Sequence, residues 1–387
     1  MIAAGTGLAI GGSADNAALE ASLQALERSR ADRADLALVF VTGDTHPRAH
    51  EALHAVRRVT GARTVVGCSG TGILADHREI EDTPAVAVLA VRSESLVATP
   101  FLFGRQGECQ DLGTEVAQQI GATVAEGGCV LVLPDAMGCN PPALLAQIHE
   151  MLGFVPVLGA VAAGTPMFEL YNTEAAQGAL VGVALSGLAP LIGVAQGCAP
   201  IGEPFVITRA DANVIQHIGN RPALQMLEDA IRALPGAADR IRRSGVFAGL
   251  AMDPAKSPLE RGDFLVRNLI GADQASGALA VGERVRVGQT VQFQIRDAEA
   301  ADQDLRAMLE ELTTRLAGRR AAFGCYFNCA GRGRGLFGTP DHDVTLIRQH
   351  LGEFPLVGFF GNGEFAPIGR QNFFHNYTGA LVVFPEA

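Results

Sequence analysis

TVVGCSGTG (Thr64–Gly72), PVLGAVAAG (Pro156–Gly164) and PLVGFFGNG (Pro355–Gly363) share one pattern: an apolar run, a glycine, four intervening residues and a second glycine. A longer apolar run precedes each: LALVFVTGD (Leu36–Asp44), CVLVLPDAMG (Cys129–Gly138) and AFGCYFNCAG (Ala322–Gly331). The stretches between predict helices over Pro47–Val59, Pro141–Leu152 and Pro340–Leu351. Proline stands near the first turn of the second and third, and Gly61, Gly153 and Gly352 follow the three. Strand, short helix and strand read as a parallel βαβ unit. A further strand then returns after an irregular loop: AVAVLAV (Ala85–Val91), ALVGVAL (Ala179–Leu185) and ALVVF (Ala380–Phe384).

Two more amphipathic helices are predicted, Asp111–Ala125 and Asp297–Leu316. Each follows a β-like stretch, LVATPFLFG (Leu96–Gly104) and VRVGQTVQFQIRD (Val285–Asp297). Thr64–Leu185 and Gly277–Phe384 therefore share an order of elements. The fold class expected is α/β, with duplicated mixed α/β sheets packed with helices in two similar halves. Pro204–Ile231 reads as a hairpin, turning at Asp211-Ala212-Asn213, followed by a helix. Pro235–Asp263 reads as a looser surface connection.

Composition bounds the function classes. A chain of 387 residues exceeds one ordinary core, and 48% apolar with 18% charged residues is a globular profile. Net charge is −11 with no Lys/Arg run, which argues against nucleic acid as a partner. Lys256 stands alone, so nearly all positive charge is arginine, suited to bidentate carboxylate or phosphate contacts. Seven cysteines without a CxxC pair, and no basic-then-apolar leader, point to free thiols in the cytoplasm. Ala175–Gly202 carries no charge but is broken by Ser186-Gly187, Pro190 and Gly197 and lacks Lys/Arg anchors. It reads as two buried strands joined by a turn, and no membrane insertion is expected.

VVGCSGTGIL and GVAQGCAPIGEPFVITRADANVI in the first half, with GALAVGERVRVGQTVQFQIRDAEAADQDL, FNCAGRG and PLVGFFGNGEFAPIG in the second, resemble FIST proteins. The resemblance runs from about Leu36 onward and implies a FIST-N domain over residues 30–203 and a FIST-C domain over 204–387, in a bacterial stand-alone member. It implies intracellular sensing of a small ligand. No output module is recognisable, so the chain is expected to act through a separate signalling protein such as a histidine kinase. Some stand-alone bacterial members are similar to haem proteins that respond to nitric oxide and regulate a separate histidine kinase, so the resemblance makes haem the cofactor to test.

Candidate site residues follow from three places. In GCYFNCAGRGRGLFG (Gly324–Gly338), strand alternation puts Phe323, Cys325, Phe327 and Cys329 on one face, and Gly324, Tyr326 and Asn328 on the other. Cys329 ends the strand, on the edge where parallel α/β sheets hold ligands. The glycines after it permit close approach, and Arg332, Gly333 and Arg334 supply planar cations and backbone donors for an anionic small molecule. The competing reading is a glycine loop with solvated arginines and a structural cysteine. The two thiols of C-x-x-x-C stand too far apart along a strand for a zinc clip, and no metal is expected.

The G-x-x-x-x-G loops offer Cys68, Ser69, Gly361, Asn362 and Glu364. They lack the Lys-Ser/Thr of a P-loop, and a tight turn at a strand end explains each singly. Asp341 and Asp343 read as helix caps. In FFHNYTG (Phe373–Gly379), His375 and Tyr377 are haem ligands by type, and Asn376 between them is a polar candidate for the ligand. The His46/His50/His54 spacing could bind a metal but also suits a solvated helix face. No catalytic set is deducible, so the protein is not expected to be an enzyme; a thiol enzyme using Cys329 or Cys68 is the alternative. The geometric expectation is that Asn328–Gly335 faces Gly358–Glu364 across one cleft, with His375–Tyr377 as a wall.

Overall fold

The structure, a computed structural model, describes residues 2–43, 49–104, 111–125, 127–253 and 255–386. Two compact units divide it: Met1–Val194, Leu305–Phe374 and Thr378–Ala387 form the first, Ala195–Asp304 and His375–Tyr377 the second.

The first unit is one module built three times. The first copy contains β1 (Ile2–Ile10), α1 (Ala14–Ser29), β2 (Leu36–Thr42), α2 (Ala49–Thr60), β3 (Thr64–Gly70), the hairpin β4 (Gly72–Ala75) and β5 (Arg78–Ile80), and β6 (Ala85–Ser93). The second repeats that order: β7 (Val97–Phe103), α3 (Leu112–Val124), β8 (Cys129–Pro134), α4 (Pro141–Leu152), β9 (Val157–Ala160), the hairpin β10 (Glu169–Tyr171) and β11 (Glu174–Ala176), and β12 (Leu180–Ser186). The third opens with β13 (Leu191–Gln196). The chain then builds the second unit from β14 (Cys198–Asp211), β15 (Val214–Ile218), β16 (Arg221–Pro222), α5 (Ala223–Ala233), α6 (Ala237–Ser244), β17 (Val246–Ala251), β18 (Phe264–Asp273), β19 (Ala278–Val281) and β20 (Thr290–Arg296). The third copy resumes at α7 (Ala298–Leu316), β21 (Ala321–Cys329), α8 (Gly333–Phe337), α9 (His342–Leu351), β22 (Leu356–Gly361), β23 (Glu364–Ile368), β24 (Gln371–His375) and β25 (Thr378–Pro385).

Each copy gives its hairpin to another copy's sheet. The three six-stranded sheets run β1-β6-β2-β3-β10-β11, β7-β12-β8-β9-β23-β24 and β13-β25-β21-β22-β4-β5, so hairpins pass cyclically from copy two to one, three to two, and one to three. The expected βαβ pairs are parallel: β2 with β3, β8 with β9, β21 with β22. What the sequence presents as irregular loops are these exchanged hairpins, turning through Asp76, Asn172 and Gly369 in left-handed backbone.

Strand alternation then decides which face meets what. Leu36, Leu38, Phe40, Cys129, Leu131, Leu133, Phe323, Cys325 and Phe327 fall in one core shared by the three sheets. The alternate residues face helices: Ala37, Val39 and Val41 pack with α1 and α2, and Val130 and Val132 with α3 and α4. Phe359 of the third copy stacks on Phe40 of the first at 4.9 Å and meets Phe327 edge-on at 6.0 Å. A pair of this kind adds roughly 0.5–1.5 kcal/mol beyond its area burial.

The glycine loops close the ring. The Thr71 N–H donates to Phe360 O (3.0 Å), Asn362 N–H to Val161 O (3.0 Å), Val161 N–H to Gly363 O (2.9 Å) and Ala163 N–H to Ser69 O (3.1 Å). The leading glycines are required by contact: a Cβ on Gly67, Gly159 or Gly358 would lie 1.7, 1.9 or 1.8 Å from the carbonyl oxygen of Val39, Val132 or Tyr326 on the paired strand. These loops join sheets, and the donors named are already spent.

In the second unit every pairing is antiparallel, and β14 pairs with both β20 and β15. The order β14-β20-β17-β18-β19-β15 therefore closes on itself as a barrel, lined by residues such as Ile207, Leu250, Leu279 and Phe293 with Met226 and Leu227 of α5. The hairpin and helix expected over Pro204–Ile231 are β14, β15 and α5. Pro235–Asp263 is not a loose connection, since Val246–Ala251 is a strand flanked by β18 and β20. Among the described residues no helix is long and apolar enough to cross a membrane, and Ala175–Gly202 is not two strands but runs through the end of β11, β12, β13 and the start of β14, each in a different sheet.

Candidate functional site

The parallel register pairs Cys329 with Gly361, and Ala330 N–H donates to Gly361 O (2.8 Å), so the GRGRG loop and the Gly358–Gly363 loop leave the same end of the third sheet. Tyr326 and Asn328 of β21 face α9. There Asp343 accepts from the Tyr326 hydroxyl (2.8 Å), Asn328 Nδ2 (3.1 Å), Arg332 Nε (3.1 Å) and Arg332 Nη2 (3.3 Å). Both Arg332 and Asp343 side chains are 0% exposed. The Arg332 guanidinium lies 5.4 Å from the Phe337 ring, which stacks on His342 at 3.6 Å; His342 Nδ1 is 2.9 Å from Asp343 Oδ1.

Burial opposes both charges, but each partner outweighs it: Asp343 raises the Arg332 pKa, and Arg332 with His342 holds the Asp343 carboxyl well below the usual carboxylate range. Glu364 behaves oppositely. Burial pushes its carboxyl well above the usual range, against hydrogen bonds from the Thr378 N–H (3.2 Å), Cys329 and the Gly363 N–H and the nearby Arg332 charge. Glu79 arrives on the hairpin of the first copy. Its Oε1 accepts from the Val344 N–H (3.1 Å), and burial followed by the charge of Asp343 pushes it up to about 8.

Four buried polar atoms around the Arg332–Asp343 pair have no hydrogen-bond partner: Arg332 Nη1, Asn328 Oδ1, Glu364 Oε1 and Glu79 Oε2. Leaving one such group unmet costs about 1–3 kcal/mol, so four of them together mark a place suited to a hydrogen-bonding ligand.

The sequence candidates divide accordingly. Cys329, Arg332 and Glu364 are brought together. Arg332 is not an open anion clamp, because Asp343 already holds the Nε–Nη2 edge of its guanidinium. Arg334 is exposed and paired with Asp82, and its N–H donates to Glu81 Oε1 (2.9 Å). Gly333 is left-handed, and a Cβ there would lie 2.8 Å from the Glu81 carboxylate oxygens. Gly361 holds the register, and the exposed Asn362 uses its N–H on Val161. Asp341 and Asp343 do not cap α9 with their side chains: Asp343 turns inward, while Asp341 Oδ1 accepts from the Glu79 N–H (2.6 Å).

Cys68 and Ser69 sit at the end of β3, bound to the hairpin of the second copy. Cys68 pairs in register with Glu169, and Ser69 Oγ accepts from the Phe168 N–H (3.1 Å). Burial and the Glu169 carboxyl raise the Cys68 thiol, so it stays protonated and poorly nucleophilic. Glu169 repeats the role of Glu364. The N–H that opens the last strand of each copy is held by Thr42 Oγ1 on Ala85 (3.0 Å), Glu169 on Ala179 (3.3 Å) and Glu364 on Thr378. Burial, then the charge of Asp135, pushes Glu169 up to about 9.

His375, Asn376 and Tyr377 belong to the second unit. The Tyr377 hydroxyl donates to Asn268 Oδ1 (2.8 Å), its ring packs on Phe247 at 4.5 Å, Arg267 donates to Asn376 Oδ1 (3.3 Å), and His375 is buried. His50 and His54 are exposed on α2, and His46 lies outside the described residues. Among the described residues no group of His, Cys, Asp and Glu is placed to hold a metal ion.

Sequence alone places Asn328 only at the edge of the expected cleft and does not mark Tyr326, Asp343, Glu79 or Glu169 as site residues. The alternation of Tyr326 and Asn328 on one face of an apolar strand was a usable signal. Glu79 gave none, since its N–H partner Val344 is 265 residues away.

The tandem arrangement agrees with comparison to known proteins. Residues 35–221 match the FIST N domain and residues 223–367 the FIST C domain, and the chain belongs to the FIST family. FIST domains are recognised as small-ligand-sensing domains of signal transduction. The chain is similar to the uncharacterized protein Rv0628c of Mycobacterium tuberculosis, 34% identical over 388 residues and 99% of each chain. It is equally similar to the uncharacterized protein Mb0898c of Mycobacterium bovis, 34% identical over 99% of this chain and 98% of the relative. A solved structure titled "Cyanuric acid hydrolase: evolutionary innovation by structural concatenation" aligns over 100% of both chains, at a TM-score of 0.34 and 13% identity, too distant to carry an argument.

Proposed function

We propose that the chain senses a small molecule at the Arg332–Asp343–Glu364 cluster and passes its occupancy to a separate signalling protein, such as a histidine kinase. The observation that carries this reading is the set of buried atoms without partners: Arg332 Nη1, Asn328 Oδ1, Glu364 Oε1 and Glu79 Oε2. They mix donor and acceptor character around one ion pair, at the sheet end where α/β folds hold ligands. The third copy also places α8 there, five residues bounded by the left-handed Gly333 and Gly338, with Phe337 laid over Arg332. A short segment bounded by glycines suits a cover that moves when a ligand enters.

A metabolite library screened by thermal unfolding tests the reading. A hit should raise the unfolding temperature of the wild type, because a ligand of the folded state stabilises it by mass action. The same hit should lose its effect in Asn328→Ala and in the double variant Arg332→Met/Asp343→Leu, which removes the ion pair without leaving either charge alone. Hits that stabilise these variants as well as the wild type would place the ligand elsewhere.

A further inference from the structure

We propose, resting on the reading of the Arg332 cluster as the ligand site, that its ligand is an uncharged molecule presenting a hydrogen-bond donor and an acceptor side by side, as a carboxamide does. The GRGRG string suggests a free anion, but the structure has already matched the charge that would hold one. Arg332 spends Nε and Nη2 on Asp343, so this buried pair sums to zero. Arg334 is exposed and paired with Asp82, and Arg78 lies 3.6 Å from Asp341, so the other two arginines here are also countered. Glu81, just after the first copy's hairpin, adds a carboxylate at the loop. An anion would enter a region where acids outnumber cations, with no unmatched positive charge to offset its desolvation.

A cation fares no better. Two carboxyls of the cluster keep a spare oxygen, Glu79 and Glu364, and burial pushes both up; Glu364 is 0% exposed. Its hydrogen bonds come from the Thr378 N–H, the Gly363 N–H and the Cys329 thiol. These bonds and the nearby Arg332 charge favour the carboxylate, but complete burial outweighs them and pushes the carboxyl well above the usual range, toward the neutral acid. The neutral form offers a cation no counter-charge.

What the cluster leaves unmet is a hydrogen-bond pattern. Arg332 Nη1 can only donate, Asn328 Oδ1 can only accept, and a protonated Glu364 can do either. A carboxamide edge supplies the complement, its carbonyl for the guanidinium and its N–H for the Asn328 oxygen, without bringing a charge.

Acetamide, acetate and acetamidinium share size and planarity and differ in charge, so they separate the cases. Each is titrated by thermal unfolding and calorimetry against the full-length wild type, Glu364→Gln and Asn328→Ala. The expected result is that acetamide binds at least about tenfold more tightly than either ion, a difference of about 1.4 kcal/mol. Glu364→Gln, neutral and near-isosteric, should keep that affinity within about threefold, and Asn328→Ala should lose it. Should Asn328→Ala fail to fold, the ranking of the three probes and the Glu364→Gln result still decide. Tighter binding of acetate, or of acetamidinium with loss in Glu364→Gln, would overturn the neutral-ligand inference while keeping the site. Binding of none of the three would contradict the site reading itself.

Discussion

Arg332 and Asp343 form a bidentate ion pair with both side chains at 0% exposure, joining the glycine loop after β21 to the first turn of α9. The pair fixes Tyr326 and Asn328 as well, since both donate to Asp343 Oδ2.

Removing one partner of this pair should therefore be far worse than removing both. Asp343→Ala strands a buried guanidinium, and the cost expected is about 3–5 kcal/mol. Arg332→Met/Asp343→Leu replaces the pair with apolar volume and should recover most of that loss. Urea unfolding of the single and double variants checks it; a double variant no more stable than Asp343→Ala would contradict the role given to the pair.

Stability should fall with rising pH through the buried acids. Glu169 is pushed from its ordinary 4.5 to about 9 in the folded chain. In the window between those values the folded state keeps a proton that the unfolded chain has released. Its stability contribution is thus complete below pH 4.5 and is lost progressively as pH rises toward 9. Glu169→Gln cannot titrate and should flatten this slope. Urea midpoints across the window test the sign, and a steeper decline in Glu169→Gln than in the wild type would refute it.

Glycine replacements should separate contact from flexibility. Gly358→Ala would put a Cβ 1.8 Å from Tyr326 O, between paired strands, and should not yield folded protein. Gly121→Ala on α3 meets Leu152 Cδ2 at 3.4 Å and should be neutral to stabilising by up to about 1 kcal/mol from helix propensity. Soluble yield and unfolding temperature read both.

The second unit should be removable. Gln196 N–H donates to Asp304 Oδ2 (2.7 Å), so the two ends of the insertion lie side by side. A chain in which a short Gly/Ser linker replaces residues 197–303 should retain a folded first unit, visible as cooperative unfolding and native-like circular dichroism. A molten, non-cooperative product would show that the three-copy ring depends on the barrel.

Much of the architecture was legible because it repeats. Apolar runs with glycine spaced alike predicted three parallel βαβ units, and the alternation in Gly324–Gly338 placed Phe323, Cys325 and Phe327 on the core side, as found. Gly5 and Gly7 interrupt the apolar pattern of Ile2–Ile10, which nevertheless forms β1. Both glycines instead let α1 approach closely, since a Cβ would lie 2.3 Å from Ala25 O and 1.8 Å from Ala21 O. Val285–Asp297, next to α7 in sequence, has the pattern of an opening strand for the third copy, but in the sheet that strand is Leu191–Gln196, separated from α7 by the insertion. The site was only partly readable. Cys329, Arg332 and Glu364 announce themselves in sequence, whereas Asp343 looked like a helix cap and Glu79 reaches the cluster only through an exchange of hairpins that no local pattern encodes.

Tyr326 allows the central claim to be measured directly. The chain has no tryptophan and three tyrosines, so Tyr171→Phe/Tyr377→Phe leaves Tyr326 as the single tyrosine emitter, hydrogen-bonded to Asp343 within the cluster. Any small molecule that stabilises the protein should change the Tyr326 emission along a titration with the same midpoint as its stabilising effect. A molecule that stabilises the protein at saturation but leaves Tyr326 emission unchanged would show that the ligand binds elsewhere and would contradict the assignment of the Arg332–Asp343 cluster as the sensing site.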